Sequence, residues 1–348
     1  MRSANHSVKA FSNQSTSALG ECGLIVDFHN HFYPQSYMNE LKKQEGYARS
    51  STDNKGRLLI QYTGDYNVVA DSHVNLEVRL KAMDQAGVDM QVLTLTTPGV
   101  ERETVERGIK LSRLVNDEFS QIKEKYPDRF TALATLPVQD PQGAVAELER
   151  AVEECGLPGA LMFSNANGRP LDSKDFFPIY EKAVKLDVPI FIHPTTPINY
   201  AAMDDYRLVP IMGFTVDTSL AVLRLVFSGV LKRLPNLKLV ASHLGGVFPY
   251  LRGRVEVAYN AYPECKVNIS EPPSVYLKKI WTDSVCYNPE IFMSTYAFSG
   301  AEKLVLGTDF PHEIHDLDNA VERIKSLKIS EEEKEQILGE NAIKLLKL

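Results

Sequence analysis

The chain has 348 residues, 44% of them hydrophobic and 24% charged, with a formal net charge of -7. That is enough apolar material for one enlarged α/β barrel or for two ordinary domains. The acidic balance, without a basic stretch, argues against a nucleic-acid partner or an anionic membrane surface, and no run reads as the roughly 20 apolar residues that cross a bilayer.

Residues 1–20 lack any acidic side chain, are rich in Ser and Asn, and have no apolar stretch of secretory type. They are expected to form a disordered tail, with a short transit peptide as the alternative. Residues 21–348 read as one domain. From Leu24 onward, short β-branched or apolar runs alternate with longer segments of helical period, the pattern of repeated βα units. The expected strands are Leu24–His29, Met90–Thr96, Thr131–Val138, Gly159–Phe163, Val188–His193, Leu237–His243, Ile280–Val285 and Leu304–Asp309. Several are nearly continuous apolar runs, as parallel strands covered on both faces are.

Helices fill the intervals. Leu76, Leu80 and Met83 share one face of a segment ending at Ala86, which Gly87 stops. Val105, Ile109, Val115, Phe119 and Ile122 mark a second helix, and Leu220, Leu223, Phe227, Val230 and Leu234 a third. Strands and helices in this alternation predict an α/β fold, a (β/α)8 barrel with loop insertions at its C-terminal mouth. Two connections exceed ordinary βα loops. Residues 35–73, with a hairpin strand at Arg57–Thr63, and residues 195–215 are both expected to cover the mouth. Ser330 to Leu348 reads as a capped helix packed on the barrel's outside. The cysteines, Cys22, Cys155, Cys265 and Cys286, lack CxxC spacing, which points to free thiols in the reducing cytoplasm.

Of the eight histidines, four stand at or just beyond expected strand ends: His29 and His31, His193, and His243. Asp309 ends the last strand, beside the first in a closed barrel. Side chains at the C-terminal strand ends converge on one mouth, where the chemistry of such barrels collects, and residues two apart on a strand point the same way. A single strand-end histidine is more often a hydrogen-bonded core residue than a ligand. Five ligand-type residues at four separate strand ends favour one bound metal ion.

The segments Val26-Asp27-Phe28-His29-Asn30-His31-Phe32-Tyr33-Pro34, Phe191-Ile192-His193-Pro194, Ser242-His243-Leu244-Gly245-Gly246 with Pro249, and Gly307-Thr308-Asp309-Phe310-Pro311 resemble the decarboxylase-type branch of the amidohydrolase superfamily. That is the branch of aminocarboxymuconate semialdehyde decarboxylase and its relatives, and the resemblance spans residues 24–348. It implies one divalent ion, usually zinc in HxH members with manganese possible, held by His29, His31, His193 and Asp309. His243 would be an acid/base outside the ligand set. Hydrolytic members with two metals carry a bridging lysine at the end of the fourth strand, where this chain has Leu161-Met162-Phe163-Ser164. The resemblance also implies a homodimer. Two departures bear on substrate: Ala70 stands where the aminocarboxymuconate enzymes carry a substrate-binding arginine, and His29-Asn30-His31 where resorcylate-type enzymes begin with Glu-x-His.

The residues support two reactions. Loss of CO2 from an aromatic or unsaturated carboxylic acid builds negative charge that a dication stabilises, and the carbon is then protonated, with His243 and Asp309 as candidates. The alternative is hydrolysis of an amide, ester or lactone, or hydration, by a water that the ion activates. A silent binding barrel is a third reading, and the full set of ligand types argues against it. Arg252 and Arg254 are candidates for holding a substrate carboxylate, with an exposed helix face as their ordinary reading. Phe32, Tyr33 and Phe214 are candidate aromatic walls. Asp283 is either a hydrogen-bond partner of a liganding histidine or a surface residue, and His312 and His315 are expected to line the mouth without ligating.

Overall fold

The computed structural model describes residues 23–348, so the expected tail at 1–20 lies outside the described residues. Eight parallel strands correspond to those expected from sequence. They are β1 (Val26–His31), β2 (Met90–Thr94), β3 (Phe130–Ala132 and Ala134–Thr135), β4 (Ala160–Phe163), β5 (Ile190–His193), β6 (Leu239–Ala241), β7 (Trp281–Asp283) and β8 (Leu304–Val305 and Gly307–Phe310). One ladder runs β8-β1-β2-β3 and the other β8-β7-β6-β5-β4-β3. β3 and β8 are each interrupted by one residue, Leu133 and Leu306, and pass the pairing from one ladder to the other. The result is the cyclic order of a (β/α)8 barrel.

The strands are buried along their length, which is why they read as unbroken apolar runs. Val26, Phe28, Val92, Phe163, Phe191 and Val240 are among the side chains that fill the interior. β1 is not a regular strand. Its pairing shifts between Asp27 and Asn30 on the β2 side and between His29 and Asn30 on the β8 side. Such a bulge lets consecutive residues turn to one side, so Phe28 packs on Phe191 at 5.4 Å between ring centroids while His29 lies 4.9 Å from the same ring. His29 and His31 therefore share the mouth above the apolar layers. Asn30 and Asp27 face outward into a buried polar network with Gln91 and Arg79.

Helix boundaries follow the capping signals. Leu76–Ala86 starts at Asn75, whose side chain accepts from the Glu77 and Val78 N–H groups, and ends at Gly87 with φ 68°. Val105–Lys125 starts at Thr104. The C-terminal segment departs from expectation in form and place. Ser330 and Glu333 do make a capping box, but the segment is a helix at Glu331–Glu335, a π-helical turn at Gln336–Glu340 and a last helix at Asn341–Leu346. Ala342, Leu345 and Leu346 join the interior cluster with Val26 and Phe28, while Asn341 Nδ2 donates to the Ala301 and Leu304 carbonyls at 2.8 and 2.7 Å. The terminal helix closes the barrel's N-terminal end and does not ride on its outer face.

Both long connections lie over the other end. Residues 35–73 hold an antiparallel sheet of Arg49–Thr52, Leu58–Tyr62 and Asp65–Val68, one strand more than a hairpin. It meets the second connection where Thr196 Oγ1 donates to the Thr63 carbonyl at 2.8 Å and where Arg207 pairs with Asp65. That connection leads into a helical stretch, Val209–Phe227, of 19 residues that is long and apolar enough to cross a membrane. Such a stretch is not expected from the sequence; half of it is buried inside the fold, where a core helix needs apolar residues on most of its surface.

Candidate metal centre

His29, His31, His193, His243 and Asp309 meet at the C-terminal mouth. His29 Nε2 and His31 Nε2 are 3.1 Å apart. Asp309 Oδ1 lies 3.0 Å from His31 Nε2 and 3.4 Å from His29 Nε2, and Oδ2 lies 3.4 Å from His243 Nε2. His29, His193, His243 and Asp309 each offer one donor atom within 4.8 Å of the others, and His31, Asp309 and His312 form a second such group. The His31 and His193 rings are 4.6 Å apart.

The back of each of three imidazoles is already committed. His29 Nδ1 pairs with Asp283 Oδ2 at 2.5 Å, His31 Nδ1 with Thr94 Oγ1 at 2.9 Å, and His193 Nδ1 with the Pro194 carbonyl at 2.9 Å. The Thr94 hydroxyl donates to the Asn30 carbonyl at 2.6 Å, so it accepts from His31. An imidazole that donates through Nδ1 presents a lone pair on Nε2, the arrangement of a metal-ligating histidine. The three Nε2 atoms and Asp309 Oδ1 then bring lone pairs together in a buried space, and His193 Nε2 is buried with no partner. Donors about 2.1 Å from one ion lie roughly 3.0–3.4 Å apart, so the residues fit a cation.

The electrostatics agree. Burial, reinforced by neighbouring histidines, holds His193 well below the usual imidazole range. Burial does the same to His31, against the Asp309 hydrogen bond. His29 is the exception, because Asp283 and Asp309 outweigh its burial and raise it to about 10. For Asp309, burial alone would raise the carboxyl, but hydrogen bonds from His243, His29 and His31 hold it well below the carboxylate range. Neutral His31 and His193 beside an ionised Asp309 are the protonation states in which these groups can donate lone pairs to a cation.

Beside it lies a cavity of about 690 Å³, lined by His193, His243, Asp309 and His312 and by residues of both long connections, among them Asn67, Arg207, Ile211 and Phe214. Phe214 is thus a wall, as expected. Phe32 and Tyr33 are not: both are buried beneath the mouth, and the Tyr33 hydroxyl donates to the Thr97 carbonyl at 2.5 Å. Arg252 and Arg254 are a second correction, since neither lines the cavity of this chain. The helix Phe248–Ala261 carries them away from His243. Arg252 stacks on Phe298 and donates to the Pro249 and Ser294 carbonyls, and Arg254 is exposed. Ala70 is exposed as well and does not line the cavity. Asp283 is fully buried on His29 and not a surface residue. His312 lines the cavity with Nε2 2.9 Å from Thr96 Oγ1, whereas His315 is exposed and does not.

Thr94 and Arg79 escaped notice in the sequence. Thr94 had a signal, as a polar side chain at the end of an otherwise apolar strand. Arg79 sits on a helix face like any charged residue, yet it is fully buried and its guanidinium donates to the carbonyl of His31 and to Asn30 Oδ1.

Residues 26–348 match the model of the amidohydrolase family. The chain is 35% identical over 336 residues to 2-amino-3-carboxymuconate-6-semialdehyde decarboxylase of Dictyostelium discoideum, covering 93% of this chain and 92% of that protein. It is 32% identical to gamma-resorcylate decarboxylase of Rhodococcus jostii, covering 78% and 87%. A solved dihydroxybenzoic acid decarboxylase of Polaromonas sp. JS666, with bound manganese and the inhibitor 2-nitroresorcinol, superposes with a TM-score of 0.76 at 26% identity, covering 94% and 97%. With the family model matched over nearly its whole length, this chain belongs to the amidohydrolase family.

Proposed function

We propose that this chain is a metal-dependent non-oxidative decarboxylase of a small aromatic or unsaturated carboxylic acid. The relatives named above are decarboxylases. The observation that carries the reading is the division of labour at Asp309: Oδ1 faces the His29 and His31 nitrogens and Oδ2 faces His243 on the cavity wall. We assign His29, His31, His193 and Asp309 as metal ligands and His243 as the proton carrier. The nitrogen-rich donor set suits zinc; manganese, present in the Polaromonas structure, is the alternative.

A divalent ion held there supplies the charge that stabilises developing negative charge on a substrate oxygen conjugated to the reacting carbon. The carbon–carbon bond to the carboxylate breaks, CO2 leaves, and the electron pair stays on the carbon. His243, on the cavity wall, delivers a proton to that carbon and regains one from solvent. Asp309 Oδ2 orients the imidazole, and the two long connections shield the mouth from bulk water. The unpaired Cys155, Cys265 and Cys286 support a reducing cytoplasm as its compartment, and light scattering in solution tests the homodimer that the resemblance implies.

The test is a panel of hydroxybenzoates, muconate semialdehydes, lactones and amides given to zinc-loaded and manganese-loaded protein, with CO2 release and hydrolysis followed together. CO2 release from at least one acid, dependent on the metal, is expected. Hydrolysis without any CO2 release would overturn the reading.

A further inference from the structure

The proposed reaction uses one end of the cavity, and the rest is unlike a site for a small polar acid. An apolar cavity of about 150 Å³ holds benzene. The space here is about 690 Å³, several times what one ring with a carboxylate and a hydroxyl fills. Away from the metal cup its walls include Val68, Ile211, Phe214, Leu244, Ile291 and Ile314. Ile211, Ile291 and Ile314 are 60%, 54% and 49% exposed, so apolar surface at the mouth lies uncovered in this chain.

Several polar groups on these walls are already engaged within the protein. The Tyr287 hydroxyl donates to the Ile314 carbonyl, and Asn288 Oδ1 accepts from the Glu290 and Ile291 N–H groups. Among the described residues, Arg207 is the only Lys or Arg that lines the cavity, and Asp65 and Glu313 line it too. The Arg207 guanidinium is paired with Asp65 and also donates to the Tyr66 carbonyl at 3.1 Å. Glu313 is itself paired with Arg57 at 3.3 Å, so a second carboxylate on the substrate would meet no unpaired Lys or Arg among the described residues of these walls.

We infer, on the footing of the decarboxylase reading, that the acid taken here has a single carboxylate and, remote from it, an apolar extension such as an alkyl chain or second ring. The extension lies against Ile211, Phe214, Leu244, Ile291 and Ile314. These residues set specificity; the cup does the chemistry.

Three probes decide it with the metal-loaded protein: salicylate, a pentyl-substituted salicylate, and a hydroxyisophthalate that bears the second carboxylate. One buried methylene is worth about fourfold in affinity. With the chain partly open to solvent, the pentyl acid is expected to exceed salicylate in kcat/KM by about tenfold or more, and hydroxyisophthalate to fall below salicylate. Ile211→Asp, at an exposed position, is expected to bring the pentyl-to-unsubstituted ratio toward one. CO2 release with no pentyl advantage, or with hydroxyisophthalate preferred, overturns this inference and leaves the decarboxylase reading standing. If no probe releases CO2, that reading is what suffers, and calorimetry with phenol and pentylphenol decides the apolar compartment by itself. Tighter binding of pentylphenol supports it, and equal binding overturns it.

Discussion

Asp283 holds His29 from behind and ties it to the opposite side of the site. Its Oδ2 takes the His29 Nδ1 hydrogen bond at 2.5 Å and also accepts from the His243 N–H at 2.9 Å, while Oδ1 accepts from the Leu244 and Val285 N–H groups at 2.8 and 3.0 Å. His243 and Leu244 have φ of 54° and 55°, a left-handed conformation that side chains other than glycine disfavour. One buried carboxylate thus sets the tautomer of a proposed ligand and fixes the backbone that aims the proposed proton carrier.

Asp283→Asn keeps the shape and removes the charge. The amide oxygen can still accept, but the imidazole loses the partner that keeps Nδ1 protonated and Nε2 basic. Metal affinity is expected to drop about 10- to 100-fold, measured by competition with a chromophoric chelator. Unchanged affinity would show that Asp283 matters only for packing.

His193 and His243 are expected to separate cleanly. His193 Nε2 has no other partner, so His193→Ala removes a donor and the protein should return without stoichiometric metal by atomic emission. His243→Ala should keep the metal and lose activity by about 10²- to 10⁴-fold, the usual worth of an acid/base group. A metal-free His243 variant would make it a ligand and end the assignment given above.

Gly307 is where three strands crowd together. A Cβ there would lie 2.9 Å from His29 Cβ, 3.0 Å from Asp283 Cβ and 3.1 Å from Val285 Cγ2, and none of these is the far end of a flexible chain. Gly307→Ala is expected to destabilise the fold by about 1–3 kcal/mol and to lower metal retention by shifting His29 against Asp283. Denaturant unfolding together with metal analysis checks both, and a variant with normal stability and metal content would contradict the crowding argument.

The barrel and its cup were legible because parallel strands buried on both faces are written as apolar runs, and each ligand-type residue interrupts such a run at its end. Proximity along the chain is a poorer guide, because it does not give proximity in space. Arg252 follows His243 by nine positions, but the intervening turn starts a helix that leads off to Ser294 and Phe298. The apolar face of the last helix announced burial, yet it could not say which surface would cover Leu345 and Leu346, and the open end of the barrel claimed them. The bulge in β1 was equally hidden, since alternation alone would put Phe28 and His29 on opposite faces.

Glu101 gives the pH prediction. It is buried behind the cavity loop, with Oε2 accepting from the Val100 N–H at 2.7 Å and Oε1 without a partner. Burial raises its carboxyl to about 8; backbone hydrogen bonds and Arg102 oppose the shift, and Glu103 adds to it. An unfolded chain releases this proton near pH 4.3, so between that value and about 8 the folded state binds more protons than the unfolded one. Stability from this group is therefore full at low pH and is lost as pH rises through that window. Glu101→Gln mimics the neutral form at every pH. Its unfolding temperature should match the parent near pH 4 and exceed it at pH 8.5, by an amount on the order of a few kcal/mol in stability. The comparison of the two proteins cancels the other titrating groups, and a difference that does not change with pH would mean that Glu101 finds a partner when it ionises.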